Sequence, residues 1–364
     1  MERVTLDTAL AVVAAGGRSL VASAGGSMEA ALREGGAEAV RLPVHSRSPA
    51  TMAANAARLR RLIAAEGVSL LHVRSRAPAF SALAAARAAG IPAVATYHGI
   101  YQGGSPWKRW YNGVMTRGDL VIANSRFTRD HILAEHGLDP SRIAIAPEGI
   151  DTAAFDPAHV TPARIAAVRA AWGLAATERR PILLLAARLT GWKGQGLMIE
   201  ALRHLPAPGR PLLILAGREQ KAGVAQALRA AASRAGVAAD VRLAGPAADM
   251  PAALTLADLV VAPSTLPESF GRAVVEAAAM ERPVLASPLG GPAETIVPGE
   301  TGWLVPAGDP LAWTEAIRAA LALPPEARAR MGRAARSRAM AHYSLAAMVA
   351  ATFEVYRRVL EARR

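Results

Sequence analysis

Short uninterrupted apolar runs alternate along this chain with longer stretches in which alanine and arginine share the positions. The runs fall at 20–23, 39–43, 69–73, 93–97, 120–123 and 143–146. Between them, apolar residues at helical spacing predict helices over 28–34, 52–66, 79–89, 108–116 and 126–136. Continuous apolar runs joined by helices are the pattern of parallel strands buried on both faces. The rhythm breaks over 150–178, which holds Asp156-Pro157 and Thr161-Pro162. It restarts with runs at 182–186, 212–216, 241–244, 259–262, 284–286 and 303–305, and a last helix is predicted over 345–360. The reading is α/β, with two doubly wound parallel-sheet domains joined near 150–178. The front end differs: residues 2–15 read as an amphipathic helix with Val4, Leu6, Leu10 and Val13 on one face, and no strand or glycine loop precedes it.

Composition narrows the classes. A length of 364 residues allows two ordinary domains, and 52% hydrophobic with 20% charged residues reads as globular. Aromatics are only 4%, which leaves the cores to alanine, leucine and valine. With no cysteine, a disulfide scaffold, a thiolate zinc site and a cysteine nucleophile are excluded. The first residues carry acids where a signal peptide carries bases, and no apolar run reaches the roughly 18 residues of a spanning helix. A soluble, cytoplasmic protein is expected.

The net charge of +13 comes almost wholly from arginine, since only Lys108, Lys193 and Lys221 are lysines. Arginine together with abundant alanine fits nucleotide bias in the coding sequence. The last 47 residues still hold ten bases against three acids, which suits an anionic membrane surface or nucleic acid. No nucleic-acid motif or stacking set accompanies the charge, so nucleic acid is not an expected partner. Trp107-Lys108-Arg109-Trp110-Tyr111 mixes bases with aromatics and reads equally as an interfacial segment or as an ordinary amphipathic helix.

Motifs of other chemistries are missing: there is no P-loop, no dinucleotide fingerprint, no H-E-x-x-H and no G-x-S-x-G. Two segments of the second domain stand out. The run 182–186 leads into Arg188 and Lys193 across a glycine turn, at the strand end where parallel sheets bind ligands. Two cations there could neutralise a diphosphate; a solvated basic turn is the plainer alternative. The run 259–262 leads through Glu268, Ser269, Phe270 and Gly271 into a helix from Arg272, with Glu276 eight positions after Glu268. Amides near 269–272 would open a helix and suit a phosphate, and the two carboxylates could accept hydrogen bonds from sugar hydroxyls. The plainer alternative is a capping Glu268 and a surface Glu276.

Arg188 and Lys193 followed by the Glu268/Glu276 pair resemble the retaining, GT-B fold glycosyltransferases of family 4, and the likeness extends over essentially the whole chain. Thr96-Tyr97-His98-Gly99 resembles the family's histidine loop, 121–125 its next strand, and 147–151 its hinge entry. Segments 290–294 and 299–302 resemble its late donor-side loops. The resemblance implies two Rossmann-like domains facing a cleft: 1–170 for the acceptor, 171–342 for a nucleotide-sugar donor, and a helix in 343–364 crossing back to the first domain. It implies that Arg188, Lys193 and the Ser269, Phe270, Gly271 and Arg272 stretch hold the donor diphosphate, and that Glu276 contacts the ribose. Glu268 would contact the transferred sugar and His98 would act near the reacting centre. No metal or other cofactor is implied. The implied reaction moves a sugar, with retention, from a nucleotide-diphosphate sugar to a lipid-linked saccharide, in lipopolysaccharide or other cell-surface glycan synthesis at the cytoplasmic membrane face. Of the family's Gly-Gly-x-Glu-Arg segment only Glu2-Arg3 are present, so the first strand and glycine loop are expected to be missing, as from a mis-chosen start site. Glu148, where the family usually has asparagine, reads as a hinge-turn variation. The alternatives are a truncated, donor-binding but inactive glycosyltransferase, a nucleotide-sugar epimerase of the same architecture, or a two-domain solute-binding protein.

Overall fold

The computed structural model describes residues 2–101, 104–175 and 177–363. The chain forms two compact units, Met1–Gly149 with Leu345–Arg364, and Ile150–Ser344.

In the first unit the strands are β1 (Leu20–Ser23), β2 (Glu38–Arg41), β3 (Leu71–Val73), β4 (Ala93–Tyr97), β5 (Leu120–Ala123) and β6 (Ile143–Ile145), all paired in parallel. They make a two-stranded sheet β1-β2 and a four-stranded sheet β3-β4-β5-β6. β4, flanked on both sides, is buried along its whole length, whereas every residue of β1 is half-buried. Helices Pro49–Glu66 and Arg76–Ala89 close one face, where Leu59, Ile63 and Leu83 pack on Val73, Ala95 and Tyr97. The final helix, Leu345–Glu361, covers the other face with Val355 and Val359 on Val94 and Ile122. The opening helix, Glu2–Ala14, comes before β1, as its apolar spacing predicts. The helix predicted over 108–116 is instead an α-helix, Pro106–Asn112, followed by a 3-10 turn, Gly113–Thr116. Ser105 caps its start by accepting from the Lys108 amide.

The second unit carries β7 (Ile182–Ala186), β8 (Leu212–Ala216), β9 (Val241–Gly245), β10 (Leu259–Ala262), β11 (Val284–Ala286) and β12 (Trp303–Leu304). The sheet is entirely parallel, in the order β12-β11-β10-β7-β8-β9. Side chains alternate across it. Leu183 and Leu185 pack with Met198, Ile199, Leu202 and Trp313, while Ile182 and Leu184 pack with Trp172, Leu254 and Val274. Strands advance from β7 toward β9, and the chain then returns to build outward from β10. The crevice outside the carboxyl ends of β7 and β10 is therefore a topological switch point, where open α/β sheets take ligands.

The units divide at Gly149 and Ile150, not near 170. The reason is the helix Pro162–Ala171: Val168 and the following Trp172 are buried among second-unit leucines, and Arg164 is paired with Asp249 at 2.7 Å. Ile150 also accepts its place there through its amide, which donates to the Tyr343 carbonyl, so the chain enters and leaves this unit side by side. Among the described residues no helix is long and apolar enough to cross a membrane.

Candidate active site

The second unit brings together residues that lie far apart in sequence. Arg188 is exposed just beyond β7, and the loop continues to Gly194, which holds φ +78° at the start of helix Gln195–Arg203. A Cβ at Gly194 would lie 2.1 Å from the Pro263 carbonyl oxygen, so glycine is needed for this close approach to the loop after β10. The Trp192 carbonyl accepts from the Thr265 amide at 2.8 Å, and the Arg188 carbonyl accepts from the Gln195 side chain. These contacts set Lys193 against Glu268, with Nζ to Oε2 at 2.8 Å and both side chains mostly buried. Lys193 also lies 4.5 Å from the Trp192 ring centroid. The second carboxylate oxygen of Glu268 accepts from the Ser264 hydroxyl.

The Glu268 backbone is held equally firmly. Its amide donates to the Leu289 carbonyl, and its carbonyl accepts from Gly291 at 2.8 Å. Gly290 has φ +84°, and a Cβ there would lie 2.0 Å from the Glu268 carbonyl oxygen. The 290–294 stretch thus buttresses the acidic loop. Ser269 and Phe270 lead to Gly271, also at positive φ, which opens helix Arg272–Ala279. Arg272 donates to Glu276 at 2.7 Å, one helical turn on. The expected donor residues Arg188, Lys193, Glu268 and the 269–272 helix start all belong to this switch-point edge. Two pairings escape sequence reading: Lys193 with Glu268, and Arg272 with Glu276.

In the first unit, His98 follows β4 and is almost completely buried. Its Nδ1 lies 3.2 Å from Oε1 of Glu148, and Asn124, just beyond β5, donates to the same oxygen at 3.1 Å. Asn124 in turn accepts from Thr128, which holds the amide upright. Burial lowers the His98 pKa, partly offset by the hydrogen bond that its ring donates to the Glu148 carboxylate. Burial would raise the Glu148 carboxyl, but its hydrogen bonds with His98 and Asn124 and the positive charge of His98 outweigh it and bring it down to about 2. Glu148 is therefore a charged anchor for the histidine ring and not merely part of a turn. Its departure from the usual asparagine was the available signal. A second buried histidine, His72, also escapes sequence reading: it contacts the Tyr356 hydroxyl and the Thr96 hydroxyl, each at 2.6 Å. Burial holds its pKa well below the usual range.

Known proteins match both units. Residues 1–154 match the family described as Glycosyltransferase Family 4, and residues 170–338 match Glycosyl transferases group 1. The chain is 32% identical over 253 residues to a D-inositol 3-phosphate glycosyltransferase of Xylanimonas cellulosilytica, covering 69% of this chain and 59% of that protein. It is 30% identical over 318 residues to an alpha-maltose-1-phosphate synthase of Mycolicibacterium smegmatis, covering 81% and 80%. The chain thus spans 59% and 48% of the first two curated relatives. A solved glycosyltransferase from Rickettsia africae superposes with a TM-score of 0.91 at 26% identity, covering 99% of this chain and 94% of that one. The chain belongs to the family 4 glycosyltransferases of GT-B fold.

Proposed function

We propose that the switch-point edge of the second unit binds a nucleotide-diphosphate sugar, and that the protein transfers the sugar, with retention, to an acceptor recognised by the first unit. The carrying observation is the 2.8 Å Lys193–Glu268 contact, which sets a cation and a carboxylate at the carboxyl ends of β7 and β10. In the transfer, the bond from the anomeric carbon to the diphosphate oxygen breaks, and a bond to an acceptor hydroxyl oxygen forms. The diphosphate leaves with the bonding pair, and the hydroxyl gives up one proton. Arg188, Lys193 and the Ser269–Arg272 amides stabilise the growing charge without a metal. Glu268 holds the transferred sugar, Glu276 the ribose, and His98 acts at the reacting centre.

The acceptor is a lipid-linked saccharide of a cell-surface glycan such as lipopolysaccharide, and the protein works as a cytoplasmic enzyme resting on the membrane. Trp107 and Trp110 support membrane contact: they are 69% and 46% exposed and stack on each other at 4.8 Å, with Lys108 and Arg109 between them in sequence. A second reading takes a soluble phosphorylated polyol or sugar as acceptor, because two curated relatives are named for inositol 3-phosphate and maltose-1-phosphate. Partition of labelled product between water and organic solvent separates the two readings. The site assignment is tested by turnover of Lys193→Ala, Glu268→Ala and His98→Ala. Each is expected to lose at least about 100-fold while keeping its fold; near wild-type turnover in all three overturns it.

A further inference from the structure

The first unit carries another concavity at the end away from His98. β4 starts at Ala93 and reaches Tyr97 about 13 Å further on, at ~3.3 Å per residue. At its starting end, the loops feeding β4, β5 and β6 enclose a pocket of about 340 Å³. Arg87, Arg117, Arg142 and Arg363 line it around one carboxylate, Asp119, and Leu83 and Ile91 give it an apolar side.

The carboxylate is already committed. Asp119 accepts from the Ala93 amide at 2.8 Å and from Arg363 at 3.3 Å. That leaves three guanidinium charges around the pocket with no carboxylate of its own lining to balance them. In so arginine-rich a chain a cluster alone would mean little. Here, however, three of the four arginines are fixed by the backbone. Arg142 donates to the carbonyls of Thr116, Gly118 and Asp119, Arg87 to that of Arg117, and Arg363 to that of Gly90. Each guanidinium offers five N–H donors in a rigid fork, so these contacts orient it without exhausting it. Several such forks converging on a hollow match a dianionic tetrahedral group, which charge-assisted bidentate bonds hold best.

We propose that this pocket binds a phosphomonoester group. The site is separate from the proposed donor site and does not depend on that reading. The phosphate comes either from a soluble ester or from a lipid headgroup. Arg117 joins the pocket to the exposed aromatic pair, since its guanidinium also lies 5.2 Å from the ring centroid of Trp110.

The test uses the full chain carrying Arg188→Ala and Lys193→Ala, which weakens phosphate binding at the switch-point edge, and every pocket variant is compared within that background. Inorganic phosphate is titrated by 31P NMR at fixed ionic strength, and co-sedimentation is measured with phosphatidylcholine vesicles with and without phosphatidic acid. Arg87→Ala and Arg363→Ala, both at exposed positions, are each expected to weaken binding about tenfold, the loss of one charge-assisted contact. Asp119→Asn keeps an oxygen to accept from Ala93 and removes the competing charge, so it should tighten binding. Binding of free phosphate with these changes assigns a soluble ester; binding only to phosphatidic acid vesicles with the same changes assigns a lipid headgroup. Binding to neither overturns the proposal, as does affinity unchanged within about twofold in both arginine variants. Asp119→Asn that stays folded and fails to tighten binding also overturns it.

Discussion

Glu148 shows how much one side chain decides in the first unit. Its carboxylate accepts from Asn124 and faces Nδ1 of His98, so it fixes both the ring's orientation and which nitrogen carries the proton. Its effect on stability has a definite sign. The folded carboxyl titrates at about 2 and the unfolded one near 4.5, so its contribution is present above 4.5 and is lost as pH falls toward 2. Glu148→Gln keeps the hydrogen-bonding shape but not the charge. Denaturant titrations should show a shallower loss of stability between pH 4.5 and 2 than in the native chain. NMR of the His98 ring should show its pKa falling further, because the carboxylate that raises it is gone. An unchanged acid slope and an unchanged ring pKa would remove Glu148 from this role. The sequence placed His98 after a strand correctly, but its partner sits 50 positions away, and no local pattern links them.

At the level of elements, the site depends on two loops meeting through glycine. Gly194 combines a positive φ with a Cβ position inside the Pro263 carbonyl, so Gly194→Ala should cost at least about 1–2 kcal/mol for the backbone alone. It should also pull the Lys193 loop off the Glu268 loop. Two positions on, Gly196 lies in the helix with nothing near its Cβ, and Gly196→Ala should leave stability unchanged or raise it by up to about 1 kcal/mol. Paired denaturant midpoints check this contrast; equal effects in the two variants would contradict the close approach. The strands themselves were legible because their apolar runs are uninterrupted and lie between helical spacings. The boundary near 150 was not. The Pro162–Ala171 helix is short and alanine-rich, and only the burial of Val168 and Trp172 among the leucines of β7 assigns it to the second unit. Likewise the two-piece sheet of the first unit follows from pairing, which the spacing of runs does not specify.

At the scale of the whole molecule, two parallel-sheet units each carry polar groups just beyond their strand ends. The charge of +13 is spread by an arginine-rich composition, so net charge names no partner; position does. The place of 188–193 and 268–276 just beyond β7 and β10 was readable because both follow uninterrupted apolar runs, and the proposal that they hold a ligand rests on that strand end. The arginine pocket at the other end of the first unit was not readable, because Arg87, Arg117, Arg142 and Arg363 converge only once β4, β5 and the final helix are packed. The central claim is that the switch-point edge of the second unit holds a nucleotide sugar, and ligand-observed NMR of the purified chain against UDP-, GDP- and ADP-sugars tests it most directly. The account predicts selective binding of one donor, lost in Glu276→Ala and weakened in Lys193→Ala. A folded chain that binds none of them, or binds equally well in both variants, would contradict it.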